Sequence, residues 1–392
     1  MAISHHCDMD RSLNLVKDLL RLDGISGQEE KVSQYVLDRA MAAGLKRKDV
    51  FTDSAHRRSP LRGSTGNLIL TVPGSLPGPR RLLAAHMDTV LPAAGSIPEL
   101  KGNRMVDQRG SCLGADDRSG VATILYALET VLLENLPHPP LTFLFTVQEE
   151  VGLYGARFVS QSALKRPEIA FSFDGGDPAL LVTGAPSQAQ IDVQIFGVAA
   201  HAGAHPEDGL SALLIASEAI QNLEQGGWTG AIRKGKLRAT SNLGYVEGGE
   251  ATNIVMPEIS LRGEARSHSE GLLERVVSAH KRAFEKAVKK KSQGRANQAS
   301  VRFRSRRIYN AFRLAKRSEA VRAALRAAKE AALAPRTFVG LGGLDANWLN
   351  ERGIPCVTLG SGAYGPHSAH EYLDLEEFHT SCEMAVHLAT GA

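Results

Sequence analysis

Apolar residues near the start of the chain recur at the spacing of an amphipathic helix. They stand at Leu13, Val16, Leu19 and Leu20. This spacing predicts a first helix, because residues three and four apart lie on the same helix face. Ser26 and Glu29 fit a capping box that would open a second helix, and Gly44 suits the end of that helix.

Short, continuously apolar runs follow, and they predict strands that are buried on both faces. These runs are residues 67–72, 81–85, 141–147, 169–173 and 356–359. A helical stretch at 120–133 lies between two of them. This alternation predicts an α/β fold with a mixed, largely parallel sheet flanked by helices.

The pattern changes near residue 186. Residues 189–198 alternate like a half-exposed strand, and residues 259–265 do so again. Amphipathic helices are predicted at 209–223 and 269–291. The apolar face of the first is predicted to carry Leu213, Ala216, Ile220 and Leu223. We therefore predict an inserted α+β domain at residues 186–306, with an antiparallel sheet and two helices. Residues 1–185 and 307–392 would form the α/β domain around it.

The formal net charge of +4 hides a basic tract at residues 281–307, in which Glu285 is the only acid. We interpret the tract as a solvated helix face followed by an exposed strand. The alternative is a nucleic-acid-binding surface, which steep salt dependence of oligonucleotide binding would reveal. That surface would use Arg302, Arg304, Arg306 and Arg307 with Phe303.

The cysteines are too widely separated to form a zinc site of the Cys-x-x-Cys type. They stand at positions 7, 112, 356 and 382. The first residues, MAISHHCDMD, lack the apolar core of a signal peptide, and no apolar run approaches the roughly 18 residues of a membrane span. We therefore expect a cytoplasmic protein with reduced thiols and no membrane partner.

Acidic and imidazole side chains stand at or just after the ends of the predicted strands. They are His86, Asp88, Asp116, Asp117, Glu149, Glu150, Asp174 and His367. Each has a simpler interpretation by itself, since Asp116 and Asp117 could cap the next helix and Asp174 could form an Asx turn. However, the carboxyl ends of strands in an open α/β sheet are where ligands bind. Their shared position therefore favours one site.

Two histidines and several carboxylates suit zinc, with cobalt or manganese as alternatives. Two such ions about 3.5–4 Å apart need a bridging carboxylate and further ligands on each ion. Hydrolysis also needs a general base, and a histidine ligand needs a carboxylate behind it. The residues at the strand ends can fill all of these roles.

Ordered motifs along nearly the whole chain carry a family resemblance. They are AAHMDTV, LGADDRSG, TVQEEVGLYGA, FSFDGG, AAHAGAHPEDGLSA, ATNIVMP, GGLDAN and GAYGPHSAHEY. The chain resembles the dinuclear zinc metallopeptidases, which include peptidase T, carboxypeptidase G, aminoacylase and succinyl-diaminopimelate desuccinylase. The peptidase T branch is the most similar. The resemblance implies a zinc-exopeptidase-like α/β domain with the inserted domain as a lid.

The resemblance also implies a role for each candidate residue. His86 and Asp174 would bind the first metal, Glu150 and His367 the second, and Asp116 would bridge both; the peptide bond after this aspartate is often cis in relatives. Glu149 would be the general base, and Asp88 would orient His86. His201, in the inserted domain, would polarise the scissile carbonyl, in several relatives at the neighbouring subunit's site. Asn253 and Arg266 would contact substrate.

The function so implied is hydrolysis of short peptides by a metal-dependent exopeptidase, which would release the N-terminal residue of di- or tripeptides. Deacylation of N-acyl amino acids and carboxypeptidase action are alternatives in the same family. A homodimer through residues 186–306 is expected. Two positions depart from the family pattern: Gln148 replaces a common glycine, and Leu341 stands where peptidase T has an arginine.

Overall fold

The computed structural model describes residues 6–295 and 298–391. They form two compact units. The first extends to Gly184 and resumes at Arg313–Gly340 and from Leu344 onward. The second comprises Ala185–Phe312 and Leu341–Gly343. Within the described residues, every helix is too short or too polar to cross a bilayer.

The elements are numbered in chain order. The helices are α1 Met9–Arg21, α2 Glu30–Ala42, α3 Ala115–Leu133, α4 Tyr154–Phe158, α5 Ala212–Gln225, α6 Glu270–Ser292, α7 Glu319–Glu330, α8 Asp345–Glu351 and α9 Leu375–Thr390. The strands are β1 Val50–Thr52, β2 Leu68–Val72, β3 Arg81–His86, β4 Pro98–Lys101, β5 Arg104–Asp107, β6 Leu141–Thr146, β7 Ile169–Phe173, β8 Leu180–Val182, β9 Gly184–Ala185, β10 Ser187–Phe196, β11 Gly230–Lys234, β12 Leu237–Gly248, β13 Glu258–Ser267, β14 Ser300–Tyr309, β15 Phe312–Arg313, β16 Arg336–Phe338, β17 Cys356–Leu359, β18 Ala363–Tyr364 and β19 Tyr372–Asp374.

The main sheet of the first unit has the strand order β1-β2-β6-β3-β7-β17-β8-β16. Its central strands β6, β3, β7 and β17 are parallel neighbours, whereas β1 and β2 join antiparallel. Every residue of these four central strands is buried, which explains their continuous apolar sequences. The predicted mixed, largely parallel sheet is confirmed. It brings the carboxyl ends of four strands to one edge.

The second unit is built on an antiparallel sheet with the order β11-β12-β13-β10-β14. In β10 buried and half-buried residues alternate, so Ile191, Val193 and Ile195 face a core that also contains Leu273 and Phe284 of α6. The predicted α+β region with two helices is therefore present. The basic tract ends α6 and continues in the edge strand β14, where Arg302, Arg304 and Arg306 are exposed, as the charge pattern predicted.

The predicted apolar face of α5 was only half right. Ala216 and Leu223 are buried, but Leu213 and Ile220 are 48% and 38% exposed. The buried face instead contains Ala212, Ile215, Ala216, Ala219 and Leu223. Three of these five residues are alanines, so the buried face differs from the one that the larger apolar residues suggest.

Candidate metal centre

Asp116 lies between two histidines and presents a different carboxylate oxygen to each. Nε2 of His86 lies 3.1 Å from Oδ1 of Asp116, and Nε2 of His367 lies 3.6 Å from Oδ2. The two histidines come from opposite ends of the unit's sequence, at the end of β3 and in the loop after β18. Asp116 is therefore placed so that its two carboxylate oxygens can bind two different cations at the same time.

Two groups of donor atoms share this aspartate. His86, Asp116 and Asp174 form one group, and Asp116, Glu150 and His367 form the other. Within each group the donor atoms all lie within 4.8 Å of one another. Nε2 of His367 is 2.8 Å from Oε1 of Glu150. The structure thus brings together all five residues that the resemblance implied as metal ligands.

Asp88 organises the loop that follows β6. Its Oδ1 accepts from the backbone N–H of Glu149 at 2.9 Å, and its Oδ2 accepts from that of Glu150 at 3.2 Å. Nδ1 of His86 lies 3.0 Å from the carbonyl oxygen of Asp88 and 3.5 Å from Oδ1. A carbonyl can only accept, so Nδ1 carries a hydrogen, and Nε2 is the ring nitrogen that faces Asp116.

The capping box predicted at Ser26 and Glu29 was wrong. The hydroxyl of Ser26 donates to Oδ2 of Asp88 at 2.7 Å. Oε1 of Glu29 accepts from the backbone N–H of Gly27 at 2.8 Å and from that of Gln148 at 3.1 Å. The side chains therefore support the acidic loop, because the strand topology places them beside it, and α2 begins without a side-chain cap.

Gln148, which departs from the family pattern, adopts a positive φ of 56°. Its side chain accepts from the Ser59 hydroxyl, and its Nε2 donates to the carbonyl oxygen of Arg62 at 2.6 Å. The glutamine thus ties a neighbouring loop to the segment carrying Glu149 and Glu150, and it leaves both acids in place.

Asp116 and Asp117 begin α3 with non-helical backbone angles, and the peptide bond between them is cis, as the resemblance implied. The capping alternative is correct for Asp117 alone, whose Oδ1 accepts from the backbone N–H of Gly120 at 3.0 Å. Its Oδ2 accepts from the N–H of His86 at 3.1 Å. The two aspartates therefore have different roles. Asp117 holds the backbone of Gly120 and His86, whereas Asp116 faces the two histidines.

Glu371 also supports the site, and the sequence pattern did not predict this role. This carboxylate is 2% exposed and accepts from the backbone N–H groups of Asp116 at 3.0 Å and Gly114 at 2.8 Å. The thiol of Cys112 also donates to it at 2.6 Å. Its position four residues after His367 was the available signal, although a buried role cannot be told from sequence spacing.

Several acidic side chains are buried close together at this edge of the sheet, and their pKa values are shifted by burial and by neighbouring charges. Burial, followed by the charge of Asp116, raises the pKa of Asp174 to about 7. Burial also raises the pKa of Glu149 well above its usual range, although His86 opposes this. Burial lowers the pKa of His86, but hydrogen bonds with Asp116 and Asp88 outweigh it and leave the pKa well above its usual range. Positive charge at this edge would stabilise the ionised acids.

The GGLDAN motif contributes a further buried carboxylate, which contacts the end of β6. Asp345, at the start of α8, is 3% exposed and accepts from the hydroxyl of Thr146 at 2.5 Å. Burial raises the pKa of Asp345 to about 6. Its charge in turn raises the pKa of Glu149, so Asp345 belongs to the electrostatic environment of the site.

The donor set fits two divalent cations. Nε2 of His86 and Oδ1 of Asp116 both present lone pairs across 3.1 Å, which requires a proton or a metal ion between them. Imidazole nitrogens mixed with carboxylate oxygens suit zinc, cobalt or manganese better than magnesium or calcium. His86 and Asp174 would hold one ion, Glu150 and His367 the other, and Asp116 would contact both.

The remaining predicted residues lie in the second unit. His201 is exposed in the loop after β10, and its Nδ1 accepts from the backbone N–H groups of Gly203 and Ala204 at 3.2 and 3.0 Å. The backbone of Asn253 is next to it, since its carbonyl accepts from the N–H of Ala202 at 2.9 Å. Arg266 lies on β13, where its guanidinium makes a two-point ion pair with Glu264 at 2.8 and 3.0 Å.

A parallel sheet edge with this set of carboxylates and histidines defines a hydrolase of the metallopeptidase class. The chain belongs to peptidase family M20/M25/M40, whose family model matches residues 82–391. It is 31% identical over 379 residues to the uncharacterized protein YqjE of Bacillus subtilis, and the alignment covers 96% of each chain.

Two solved structures are similar over 98% of both chains. One is a tripeptidase from Staphylococcus aureus, with a TM-score of 0.88 and 29% identity. The other is the aminopeptidase PepT from Bacillus cereus, with a TM-score of 0.84 and 30% identity.

Proposed function

We propose that this protein is a two-metal exopeptidase that hydrolyses short peptides and releases the N-terminal residue of di- or tripeptides. The observation that carries the proposal is the Asp116 carboxylate, whose two oxygens face His86 and His367 separately. The similarity to a tripeptidase and to an aminopeptidase over nearly the full chain supports the choice of substrate.

In this proposal zinc is the preferred metal, with cobalt or manganese as alternatives. The pair of ions, when bound, supplies Lewis acidity that activates a water molecule and polarises the carbonyl of the scissile bond. Asp88 keeps His86 in the tautomer whose Nε2 can ligate, through the hydrogen bond from Nδ1 to the Asp88 carbonyl at 3.0 Å.

Glu149 acts as the general base. Its backbone is fixed by Asp88, and it is adjacent to the ligand Glu150, so its carboxylate can reach the water without being a ligand itself. It takes the proton from water as the C–O bond forms. The same proton then passes to the leaving amine as the C–N bond breaks.

His201 supplies a hydrogen bond to the carbonyl oxygen as negative charge develops there. Its tautomer suits this role, because Nδ1 accepts two backbone N–H groups and Nε2 is therefore the protonated nitrogen. Asn253 and Arg266 would contact the substrate. We further propose that residues 186–306 act as a lid that also pairs two subunits, and that the enzyme works in the cytoplasm.

A peptide panel tests the proposal. The protein is stripped of metal, reconstituted with zinc, cobalt or manganese, and given di- and tripeptides with free or blocked termini. Release of the N-terminal residue, only from peptides with a free amino group, is the expected result. Cleavage of N-acyl amino acids would instead identify a deacylase, and release of the C-terminal residue would identify a carboxypeptidase.

A further inference from the structure

A cluster of reactive groups lies apart from the metal centre, where the start of the chain meets α9. Sγ of Cys7 is 4.0 Å from Nδ1 of His379 and 3.4 Å from the hydroxyl of Ser12. That hydroxyl is itself 2.9 Å from Nδ1 of His379. The backbone N–H of Cys7 donates to Oε1 of Glu383 at 2.8 Å, so both the main chain and the side chain of Cys7 are fixed against α9.

A second thiol completes the cluster. Cys382 follows His379 by about one helical turn and directly precedes Glu383, so it lies on the turn of α9 that contacts both the side chain and the backbone of Cys7. Cys382 is fully buried and also lies 4.0 Å from the hydroxyl of Thr123 on α3. Cys7 is only half-buried, so a small solute can reach one sulfur of the pair and not the other.

The two thiols differ in acidity. The hydrogen bond from Cys382 and the nearby His379 lower the pKa of Cys7 to about 5, although burial opposes them. Burial, and then Cys7, raises the pKa of Cys382 well above its usual range. An accessible thiolate beside a protonated thiol is the pairing that reacts readily with oxidants.

We propose that Cys7 and Cys382 form a peroxide-sensitive thiol pair that closes into a disulfide between the start of the chain and α9. Cys7 is the sulfur that reacts first, because it alone is accessible. Cys382 is the resolving sulfur, because it lies between His379 and Glu383 on the turn of α9 against which Cys7 is held. The proposal does not depend on the substrate of the metal centre.

The chemistry balances with a hydroperoxide as the oxidant. The Cys7 thiolate attacks the terminal peroxide oxygen, so an S–O bond forms, the O–O bond breaks and the released oxyanion takes a proton from water. The Cys382 sulfur then attacks the Cys7 sulfenic acid, so an S–S bond forms and the S–O bond breaks. The thiol proton leaves with the hydroxide as water. Two thiols are oxidised and one peroxide is reduced.

The other two cysteines serve as internal references. Cys356 is fully buried in β17, and burial raises its pKa far above the usual range. Cys112 is buried against Glu371, and burial raises its pKa to about 12. Neither should react under conditions that oxidise Cys7, because the thiol, and not the thiolate, is present and shielded from solvent.

The test uses the full-length, fully reduced protein and hydrogen peroxide as the probe. After a short exposure, remaining thiols are alkylated and the digest is analysed by mass spectrometry. We expect one disulfide-linked pair of peptides containing Cys7 and Cys382, which disappears on reduction with dithiothreitol. The oxidised protein should also have a higher Tm, because the cross-link closes nearly the whole chain into one loop.

Two variants separate the steps. Cys382→Ser should stop at a Cys7 sulfenic acid that dimedone labels, with no cross-link and no rise in Tm, whereas the control Cys356→Ser should still form the cross-link. His379→Gln should slow the first step. The proposal is overturned if the wild-type protein leaves Cys7 unmodified. It is equally overturned if Cys7 is oxidised without pairing, or if either cysteine pairs with Cys112 or Cys356 instead.

Discussion

Two histidines that we assign to one reaction are held in opposite ways. His86 ends a central strand, its side chain is 3% exposed, and both ring nitrogens have partners within the first unit. His201 is exposed in a loop of the second unit, and its Nδ1 accepts two backbone N–H groups. The first arrangement is fixed by the packing of a sheet, and the second by a few local hydrogen bonds.

This difference indicates that the sheet edge and the exposed loop contribute to the reaction in different ways. Groups at the edge of a buried sheet keep their geometry without substrate, which suits metal binding and proton transfer. A histidine on an exposed loop can respond to the substrate, which suits recognition of a carbonyl that is present only during turnover. Variants in the first region should therefore change the metal content or the chemical step, and variants in the second should change turnover alone.

The largest effect is expected for Glu149→Gln. Removing the base should lower kcat by about 10⁴-fold, near the upper end for general base catalysis, while about two metal ions stay bound. Rate assays beside elemental analysis of the same preparation measure both quantities. Glu150→Gln is the matched control, since it removes a ligand and should lower the metal content. If Glu149→Gln purifies with half the metal, the two glutamates have exchanged roles.

His201→Ala should have the next largest effect. Loss of a hydrogen-bond donor to a developing oxyanion lowers kcat by about 10²–10³-fold, and the metal content should not change. His205→Ala is the control, because His205 is exposed on the same loop and is expected to be neutral. An unchanged kcat in His201→Ala would remove the residue from the mechanism.

The same variant tests the proposed subunit pairing. Inactive His201→Ala subunits mixed with inactive Glu149→Gln subunits should recover partial activity if His201 acts on a neighbouring subunit. No recovery after verified subunit exchange would place the donor in the same chain as the metal centre.

Glu371→Gln should have a smaller effect on the metal centre. The change keeps the shape but replaces one accepting oxygen by an amide N–H₂. Either the Asp116 N–H, which donates to Oε1, or the Gly114 N–H and the Cys112 thiol, which donate to Oε2, then lose their acceptor. Residues behind metal ligands contribute about 10–100-fold in metal affinity. Competition with a chelator measures this, with the exposed Glu376→Gln as control. Equal metal affinity in both variants would contradict the role assigned to Glu371.

The sequence predicted which residues meet at the carboxyl edge of the main sheet, because buried parallel strands leave two strong signals. The continuous apolar runs locate β3, β6, β7 and β17, and a polar residue directly after such a run marks the carboxyl end. His86 and Asp174 could be placed in this way without any long-range information. Their roles as ligands came from the motif resemblance and stay proposals.

The sequence did not predict contacts between residues that are far apart in the chain. Ser26 and Glu29 have the spacing of a capping box, yet Ser26 bonds Asp88 and Glu29 bonds Gln148 across the fold. Glu371 and Asp345 were missed for the same reason, because nothing local shows that they are buried. Strand β12 was not predicted, since most of its residues are exposed.

The smallest effect is expected at Leu341, where peptidase T has an arginine. Leu341 is 71% exposed, so an arginine there would make a solvated contact with the substrate carboxylate, which is typically about 0.2–1 kcal/mol. We therefore expect the wild-type enzyme to cleave tripeptides with a free or an amidated C-terminus within about fivefold of each other in kcat/KM. Leu341→Arg should raise the preference for the free acid by up to about fivefold, whereas the uncharged Leu341→Gln should not. If the wild-type enzyme cleaves only free-acid tripeptides, a cation elsewhere already anchors the carboxylate. Arg266 would be the first residue to test. To bind the substrate carboxylate, it would have to exchange its ion pair with Glu264 for one with the substrate.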